Sequence, residues 1–207
     1  MRQESLPQQT RDRHWLRREL PQIAAMLLLL AAARDSFANH YQVPSGSMSH
    51  TLEVGDRVAV DMRAYGVRLP FTELELMETG KPQRGDVAVF DSPQDGTRLI
   101  KRVAAVAGDE VDLIDGRLSI NGVPMEARDG KDVEIFREHR ASLDLSRGGG
   151  PVIRGLKVPE GQVLMLGDSR GNSFDGRFFG LVPARSLYGR AVAVYYRRDE
   201  GLGWKKL

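Results

Sequence analysis

Short apolar runs, broken by glycine, aspartate and proline, fill the sequence from residue 43 onward and constrain the fold more than any other feature. The runs are rich in Val, Ile and Leu, as β-strands are, and they read DRVAVDM, GDVAVFDS, RLIKRVAAVAG, DEVDLID, RLSINGVPM, QVLMLGD and GRAVAVYYRR. Asp115-Gly116 lies between two of them and is typical of a two-residue hairpin turn. No later segment keeps a helical period over ten residues, and TELELMETG is at most a short helix. We therefore predict a mostly β domain, built as a curled antiparallel sheet or a barrel-like one.

Residues 127–158 interrupt this pattern. The stretch is more polar than the runs around it and carries three consecutive glycines, Gly148 to Gly150. Long polar connections of this kind in compact domains are functional loops or insertions. We predict that residues 127–158 form a small, loop-rich second lobe, as an insertion or a cap.

The amino-terminal region combines a basic segment with a long apolar one. A cluster of arginines precedes the apolar stretch LPQIAAMLLLLAAARDSF: Arg11, Arg13, Arg17 and Arg18. The unbroken apolar run over residues 23–33 is shorter than the roughly 20 residues of a membrane span, but residues 20–37 reach about that length. Arg34 and Asp35 near its end can reach the headgroups or neutralise each other.

Three interpretations of this stretch remain open. It is a single membrane anchor whose arginines hold the amino terminus in the cytoplasm, or a cleavable signal peptide with small residues near Ala31 to Ala33, or a buried helix of a soluble protein. The flanking arginines disfavour the third interpretation. We favour the anchor, with residues 1–19 in the cytoplasm, 20–38 in the membrane and 39–207 as an extracytoplasmic domain.

Composition excludes several classes of site. The net charge of +2 does not indicate a nucleic-acid partner, and the absence of cysteine excludes disulfides, thiol nucleophiles and thiolate metal ligands. The four histidines do not have the spacing of metal ligands. We predict neither a metal nor a cofactor.

Two serines, Ser45 and Ser47, flank a glycine in VPSGSM. Proline restricts the backbone and glycine opens conformations closed to other residues, so this turn can expose a hydroxyl. By itself the composition is that of an ordinary loop. A reactive serine also needs a base, and the histidines offer no clear one, because His50 lies too close in sequence and His139 lies in the polar insertion.

Lys101 in RLIKRVAAVAG is the alternative base. In a strand it shares a face with Leu99 and Val103. Burial on an apolar face lowers the pKa of a lysine because it penalises the charged form, so a neutral amine becomes available near neutral pH. The competing interpretation is an edge-strand or snorkelling lysine.

A third stretch, GDSRGNSFDGRFFGLVP, places polar and charged residues directly after a predicted strand. Such a loop is suited to surround a buried amine. It is equally suited to be a surface loop in which Asp175 and Arg177 pair, and the residues alone leave both interpretations open.

Together the three stretches resemble bacterial signal peptidase I, the family of membrane-bound Ser/Lys leader peptidases. PSGSM resembles the nucleophile box, and GDVAVF with LIKRVAAVAGD resembles the strands that lead to and carry the lysine. GDSRGNSFDGRFFGLVP resembles the family's Gly-Asp-x-Arg-x-Asn-Ser-x-Asp-x-Arg box. The matching blocks span residues 34–62, 84–113 and 161–195, in the family's order.

The resemblance implies a role for each matching residue. Ser47 is the nucleophile and Lys101 the general base, while the backbone N–H of Ser47 and the hydroxyl of Ser45 form the oxyanion hole. A second set orients the lysine or braces the loop, and consists of Ser173, the ion pair Asp175 and Arg177, and Asp168 and Arg170. The implied substrate groove is apolar and lined by Val43, Pro44, Met48, Leu52, Val58, Val89, Leu99 and Ile100.

The sequence also departs from the family pattern at several positions. His50 occupies the place of a proline that usually follows the nucleophile. Ser169, Gly171 and Gly176 stand where Asn, Asp and Ser are common, and Leu99 stands where an aromatic residue is frequent. None of these changes removes an implied catalytic atom.

The function that the resemblance implies is removal of signal peptides from exported preproteins at the outer face of the bacterial cytoplasmic membrane. Its partners are preprotein signal peptides and the lipid bilayer. Three alternatives stay open: a specialised relative with a narrow substrate set, such as a conjugation or pilus component; a self-cleaving Ser/Lys repressor, which the apolar amino terminus disfavours; and an inactive membrane-tethered β scaffold.

Overall fold

The computed structural model describes residues 19–26, 38–68, 75–128, 132–137 and 139–207. Residues 19–26 are helical. Most of the predicted anchor over residues 20–38 lies outside the described residues, as does nearly all of the predicted cytoplasmic segment. Within the described ranges, no helix combines the length and the apolar character of a membrane span.

Strands dominate the described chain. In chain order they are β1 (Ala38–Gln42), β2 (Arg57–Asp61), β3 (Gly66–Arg68), β4 (Glu75–Glu78), β5 (Val87–Asp91), β6 (Arg98–Val106), β7 (Glu110–Ile114), β8 (Arg117–Ile120), β9 (Val123–Pro124), β10 (Val133–Phe136), β11 (His139–Ser142), β12 (Ile153–Lys157), β13 (Gln162–Leu166), β14 (Val182–Pro183), β15 (Leu187–Arg197) and β16 (Gly201–Lys206). The helical pieces beyond the amino terminus are short: Gly46–Met48, Arg170–Asn172, Gly176–Phe179 and Ala184–Ser186. All seven apolar runs contain a strand, which confirms the prediction of a mostly β domain.

The main sheet has eight strands in the order β1-β2-β15-β5-β6-β13-β14, and β16 pairs with β15. All its pairs are antiparallel. Several registers shift along β15 and β13, and such bulges increase the local twist of a sheet. The outermost strands β1 and β14 do not pair with each other among the described strands, so the sheet is curled but open. The barrel-like closure that we considered is not found.

Both faces of the main sheet are covered around β5. Val87 and Val89 belong to one apolar cluster, whereas Ala88 and Phe90 belong to another. Neighbouring residues of a strand point to opposite faces. The unbroken run VAVF is therefore apolar because the strand is buried on both sides. This arrangement places the neighbouring strand β6 in the interior.

A second group of strands lies beside the main sheet. β12, β7, β8 and β9 form a four-stranded sheet, β10 pairs with β11, and a third apolar cluster fills the space between these elements. Asp115 and Gly116 connect β7 to β8 with φ of 51° and 78°, which confirms the predicted hairpin turn. The polar stretch 127–158 contains β10, β11 and β12, and β12 pairs with β7, which precedes that stretch.

One local prediction was wrong. Four residues of TELELMETG form β4, which pairs with β3, rather than part of a short helix. A short helix contributes few hydrogen bonds of its own, so pairing with a neighbouring strand decides the conformation of such a segment.

Candidate active site

The serine pair lies in a single helical turn that follows β1. Backbone hydrogen bonds from Val43 N to Asp56 O and from Gly55 N to Val43 O fix the entry of the turn. Met48 is fully buried in the core and anchors its other end. Ser47 itself is only 6% exposed. The turn is therefore held at both ends rather than loose.

Lys101 reaches this turn from the middle of β6. Its Nζ donates to Ser47 Oγ at 2.6 Å and to Ile100 O at 3.2 Å. The antiparallel register with β5 places Lys101 opposite Ala88, on the sheet face that packs in the cluster of Phe90. The side chain is 3% exposed. Tertiary structure thus joins a serine and a lysine that are 54 residues apart.

The environment of Lys101 shifts its protonation equilibrium toward the neutral amine. Burial lowers its pKa from 10.5 to about 8, and the carboxylates of Asp175 and Asp168 limit the decrease. At pH 7 roughly a tenth of the amines are then neutral. A neutral amine at 2.6 Å can accept the hydroxyl proton of Ser47.

The second serine lies beside the first. Ser45 Oγ donates to Ser47 Oγ at 3.3 Å, and Ser45 is exposed to solvent. Two hydroxyls therefore lie within hydrogen-bond distance of each other at the start of the helical turn. The first N–H groups of a helix have no partner within it, so they can bind an oxygen atom of a ligand.

The loop of residues 167–177 supports the turn from β13. Ser169 N donates to the carbonyl oxygen of Ser47 at 3.1 Å. A Cβ on Gly167 would lie 2.6 Å from that oxygen and 2.1 Å from Ser173 Oγ. Only glycine permits so close an approach of loop and turn.

Ser173 does not make its predicted hydrogen bond. The resemblance implied that Ser173 orients the lysine amine, but its buried Oγ has no hydrogen-bond partner among the described residues. The hydroxyl faces Gly167 instead. Its role in orienting Lys101 stays a prediction.

The implied ion pair in this loop is present. Arg177 Nε and Nη2 donate to the two carboxylate oxygens of Asp175 at 2.8 Å each. Asp175 also accepts from the backbone N–H groups of Gly167 and Arg177, at 2.9 and 3.2 Å. The pair ties the start of the loop to the short helix Gly176–Phe179.

The structure gives Asp168 and Arg170 partners that the sequence did not suggest. Asp168 accepts from Arg102 Nε and Nη2 at 2.9 and 2.7 Å, and from Thr51 Oγ1 at 2.6 Å. Arg170 Nη1 and Nη2 donate to Glu134 at 2.9 and 2.6 Å. Arg102 directly follows Lys101 in the sequence, and this position was a signal by which Arg102 could have been identified as a residue of the site.

Glu134 gave no signal in the sequence. It lies in β10, within the stretch that we predicted to be loop-rich, and it is 1% exposed while its neighbour Ile135 faces solvent. A glutamate is usually exposed and an isoleucine usually buried, and here the two are reversed. The glutamate can be buried because the guanidinium of Arg170 compensates the charge of its carboxylate. The burial of Glu134 is therefore explained by its ion pair with Arg170, which only the structure reveals.

The residues of the implied substrate groove lie mostly in the core. Six of them pack in one apolar cluster: Val43, Met48, Leu52, Val58, Val89 and Ile100. Leu99 packs on the other side of the sheet, in the cluster of Phe90 and Phe179, and Pro44 is exposed. Apart from Pro44, only Leu99 and Ile100 of this set are partly exposed. Contact of the set with a substrate stays a prediction.

His50 has a backbone conformation that explains its departure from the family. Its φ is +74°, which proline cannot adopt, and its N–H donates to Glu53 Oε1 at 2.9 Å. Proline at this position would lose both features. No group of His, Cys, Asp or Glu side chains in the described part of the chain is placed to hold a metal ion.

Comparison with known proteins gives a consistent result. The family model described as "Signal peptidase, peptidase S26" matches residues 15–196. The chain belongs to this signal peptidase family. It is therefore a serine endopeptidase, a hydrolase.

Individual relatives of the chain agree with the family model. The chain is 35% identical to signal peptidase I of Pseudomonas fluorescens and to that of Pseudomonas aeruginosa, over 82% of this chain and 69% of each relative. It is 30% identical to a probable signal peptidase I-2 of Synechocystis, over 94% of this chain and 78% of the relative. A crystal structure of a signal peptidase I from Enterococcus faecalis is 32% identical, covers 53% of this chain and 96% of its own, and has a TM-score of 0.38.

Proposed function

We propose that the chain is a membrane-bound endopeptidase that removes signal peptides from exported preproteins, with Ser47 as nucleophile and Lys101 as general base. The observation that carries this proposal is the 2.6 Å contact between Lys101 Nζ and Ser47 Oγ at a buried position. The lowered pKa of Lys101 supports it, because a base must lose its proton before it can act.

The proposed reaction follows the path of a serine acyl transfer. The neutral amine of Lys101 accepts the proton of Ser47 while Oγ attacks the scissile carbonyl. The resulting ammonium then protonates the leaving amine, and a water molecule repeats the attack on the acyl-enzyme with the same base. In acylation the proton of Ser47 thus passes through Lys101 to the leaving amine, and in deacylation a proton of the water passes through Lys101 to Ser47 Oγ, so that both groups are restored.

The oxyanion of the tetrahedral intermediate needs donors that are already in place. We assign this role to the backbone N–H of Ser47 and the hydroxyl of Ser45. The Ser45 hydroxyl donates to Ser47 Oγ in this structure. Rotation about one side-chain bond turns it toward the oxyanion when the substrate arrives.

We assign the membrane anchor to residues 20–38, with residues 1–19 in the cytoplasm and residues 39–207 as the catalytic domain outside the bacterial cytoplasmic membrane. The arginines before the apolar stretch support this orientation. β1 begins at Ala38, and a short turn leads from it to Ser47. The nucleophile would therefore lie close to the bilayer, where a preprotein emerges.

The experiment that tests the function compares the full chain with two variants, Ser47→Ala and Lys101→Met, in detergent with a purified preprotein. We expect the wild type to release the mature protein and both variants to lose cleavage while remaining folded. Lys157→Met is the matched control, since that side chain is 80% exposed, and it should cleave as the wild type does.

Two results would contradict the proposal. Retained cleavage by Lys101→Met would exclude Lys101 as the base. If the wild type cleaves the preprotein no better than the two variants do, the inactive scaffold would be favoured. A second measurement is the pH profile: kcat/KM should rise about tenfold per pH unit up to about pH 8 and then level off, as the buried amine loses its proton.

A further inference from the structure

Seven residues of the polar stretch, 144–150 with the sequence DLSRGGG, run alongside the 167–177 loop, and we call them the strap. Asp144 N donates to Asp168 O, and Arg170 N donates to Asp144 O, at 3.0 Å each. These two bonds form a short parallel bridge between Asp144 and Ser169. The strap is therefore joined to the loop by backbone pairing.

One residue of the loop connects the strap to the nucleophile. Ser169 Oγ donates to Asp144 Oδ2 at 2.8 Å, and Ser169 N donates to the carbonyl oxygen of Ser47 at 3.1 Å. The other oxygen of Asp144 accepts from Ser146 Oγ at 2.6 Å and from Ser146 N at 3.0 Å. These hydrogen bonds, those from Ser146 first, lower the pKa of Asp144 to about 2, so the acceptor stays ionised at neutral pH.

Glycines allow the strap to lie this close on both sides. A Cβ on Gly171 of the loop would lie 2.2 Å from the carbonyl oxygen of Arg147, and a Cβ on Gly149 would lie 2.2 Å from the backbone of Asp115. Arg177 Nη1 also donates to Gly149 O at 2.7 Å. The strap is therefore enclosed between the β7–β8 turn and the loop, with no space for side chains at either glycine.

Two departures from the family box face the strap. Ser169 supplies the hydroxyl that binds Asp144, and Gly171 supplies the space for the carbonyl of Arg147. A larger residue at position 171 would collide with that carbonyl. The small size of Gly171 therefore fits the close passage of the strap backbone at Arg147, and the hydroxyl of Ser169 fits the carboxylate of Asp144.

We propose that the strap is a positioning element of the active site, in which Asp144 holds Ser169 and Ser169 holds the backbone of Ser47 at its distance from Lys101. The inference rests on the proposed function and deepens it. It assigns Asp144 and Ser169 as positioning residues, which act through Ser47 without contact to the substrate.

The first test measures kcat and KM of the full chain with a preprotein for Asp144→Ala and Ser169→Ala. We expect kcat to fall roughly tenfold or more in each, because a small displacement of a nucleophile is costly, while KM stays within about twofold. The double variant should be no slower than the worse single one, because both changes remove the same hydrogen bond. Asp144→Asn keeps an acceptor oxygen and should restore most of kcat.

The matched control is Asp132→Ala, which removes an exposed carboxylate paired with Arg117 on the same group of strands. It should leave both kinetic constants unchanged. Gly171→Ala is an additional variant and should lower kcat as well. If Gly171→Ala does not fold, Ser169→Ala still decides the question, because it only removes an oxygen atom.

Amide hydrogen exchange of Ser169 gives a readout without any substrate. In Asp144→Ala this amide should exchange roughly tenfold faster, while Val163 in β13 keeps its protection. Wild-type kcat in both alanine variants, or an unchanged exchange rate of Ser169, would overturn the role of the strap. If the wild type cuts no preprotein but the Ser169 amide exchanges faster in Asp144→Ala, the proposed function fails. The role of Asp144 in positioning Ser169 is then still supported.

Discussion

Replacement of Lys101 by methionine should stabilise the fold at neutral pH. Lys101 is 3% exposed, and its pKa is lowered from 10.5 to about 8 by burial. The folded protein therefore binds this proton more weakly than the unfolded chain does. Between pH 8 and 10.5 the unfolded chain holds the proton that the folded protein has released, so the contribution of Lys101 to stability improves as the pH rises through this range.

The size of the effect follows from the same pKa. Its lowering corresponds to about 3 kcal/mol of destabilisation, present in full below pH 8 and absent above pH 10.5. Lys101→Met removes this cost and keeps a side chain of similar length. It also removes the hydrogen bond to Ser47 Oγ, which contributes about 1 kcal/mol. The net gain near pH 7 is about 2 kcal/mol, or roughly 4–8 °C in the melting temperature.

The measurement is denaturant unfolding of the full chain and its variant in detergent at several pH values from 6 to 10.5. We expect the advantage of Lys101→Met to disappear on the alkaline side and to become a loss of about 1 kcal/mol at pH 10.5, where only the missing hydrogen bond remains. Lys157→Met, at an exposed position, should differ little from the wild type at every pH. A variant that is less stable at pH 7, or a difference that does not change with pH, would refute the reasoning.

Further predictions concern three positions around the site. His50→Pro should lower the free energy of unfolding by about 2–3 kcal/mol because φ is +74°, whereas His50→Gly should be neutral or stabilising and keep full cleavage. Ser173→Ala removes a buried hydroxyl without a partner among the described residues, so denaturation should show no loss of stability, and a loss above about 1 kcal/mol would contradict the structure. Glu134→Gln leaves Arg170 buried without its counter-charge and should cost about 3 kcal/mol by denaturation, while Glu126→Gln at an exposed pair should cost less than about 1 kcal/mol.

The strands and one turn were predictable because they depend on local patterns. Each apolar run contains a strand, and Asp115-Gly116 forms the hairpin turn that its residue types favour. The order of the strands in the sheet did not follow from the runs. β15 lies between β2 and β5, and no local pattern records which distant strand becomes a neighbour.

The site was predictable in part. The family motifs pointed to Ser47, Lys101 and the pair Asp175 and Arg177. The structure joins Lys101 to Ser47 and Arg177 to Asp175, and the carboxylate of Asp175 acts on Lys101 through its charge. Glu134 was missed because its burial depends on the guanidinium of Arg170, which lies in the 167–177 loop and is distant in sequence. The groove residues were chosen for apolar character, which describes a core position as well as a binding surface.

The sequence by itself determined which segments become strands and where one tight turn falls, because these properties depend on side-chain type and spacing within a few positions of the chain. Ser47 and Lys101 became candidates for chemistry through the resemblance of their motifs to those of the family, and not through local spacing. Tertiary structure decided that Lys101 Nζ meets Ser47 Oγ at 2.6 Å, that Asp144 reaches Ser169, and that Ser173 Oγ is left without a partner among the described residues. Each of these depends on sheet register and on close backbone approach, and only the complete packing of the chain sets those distances.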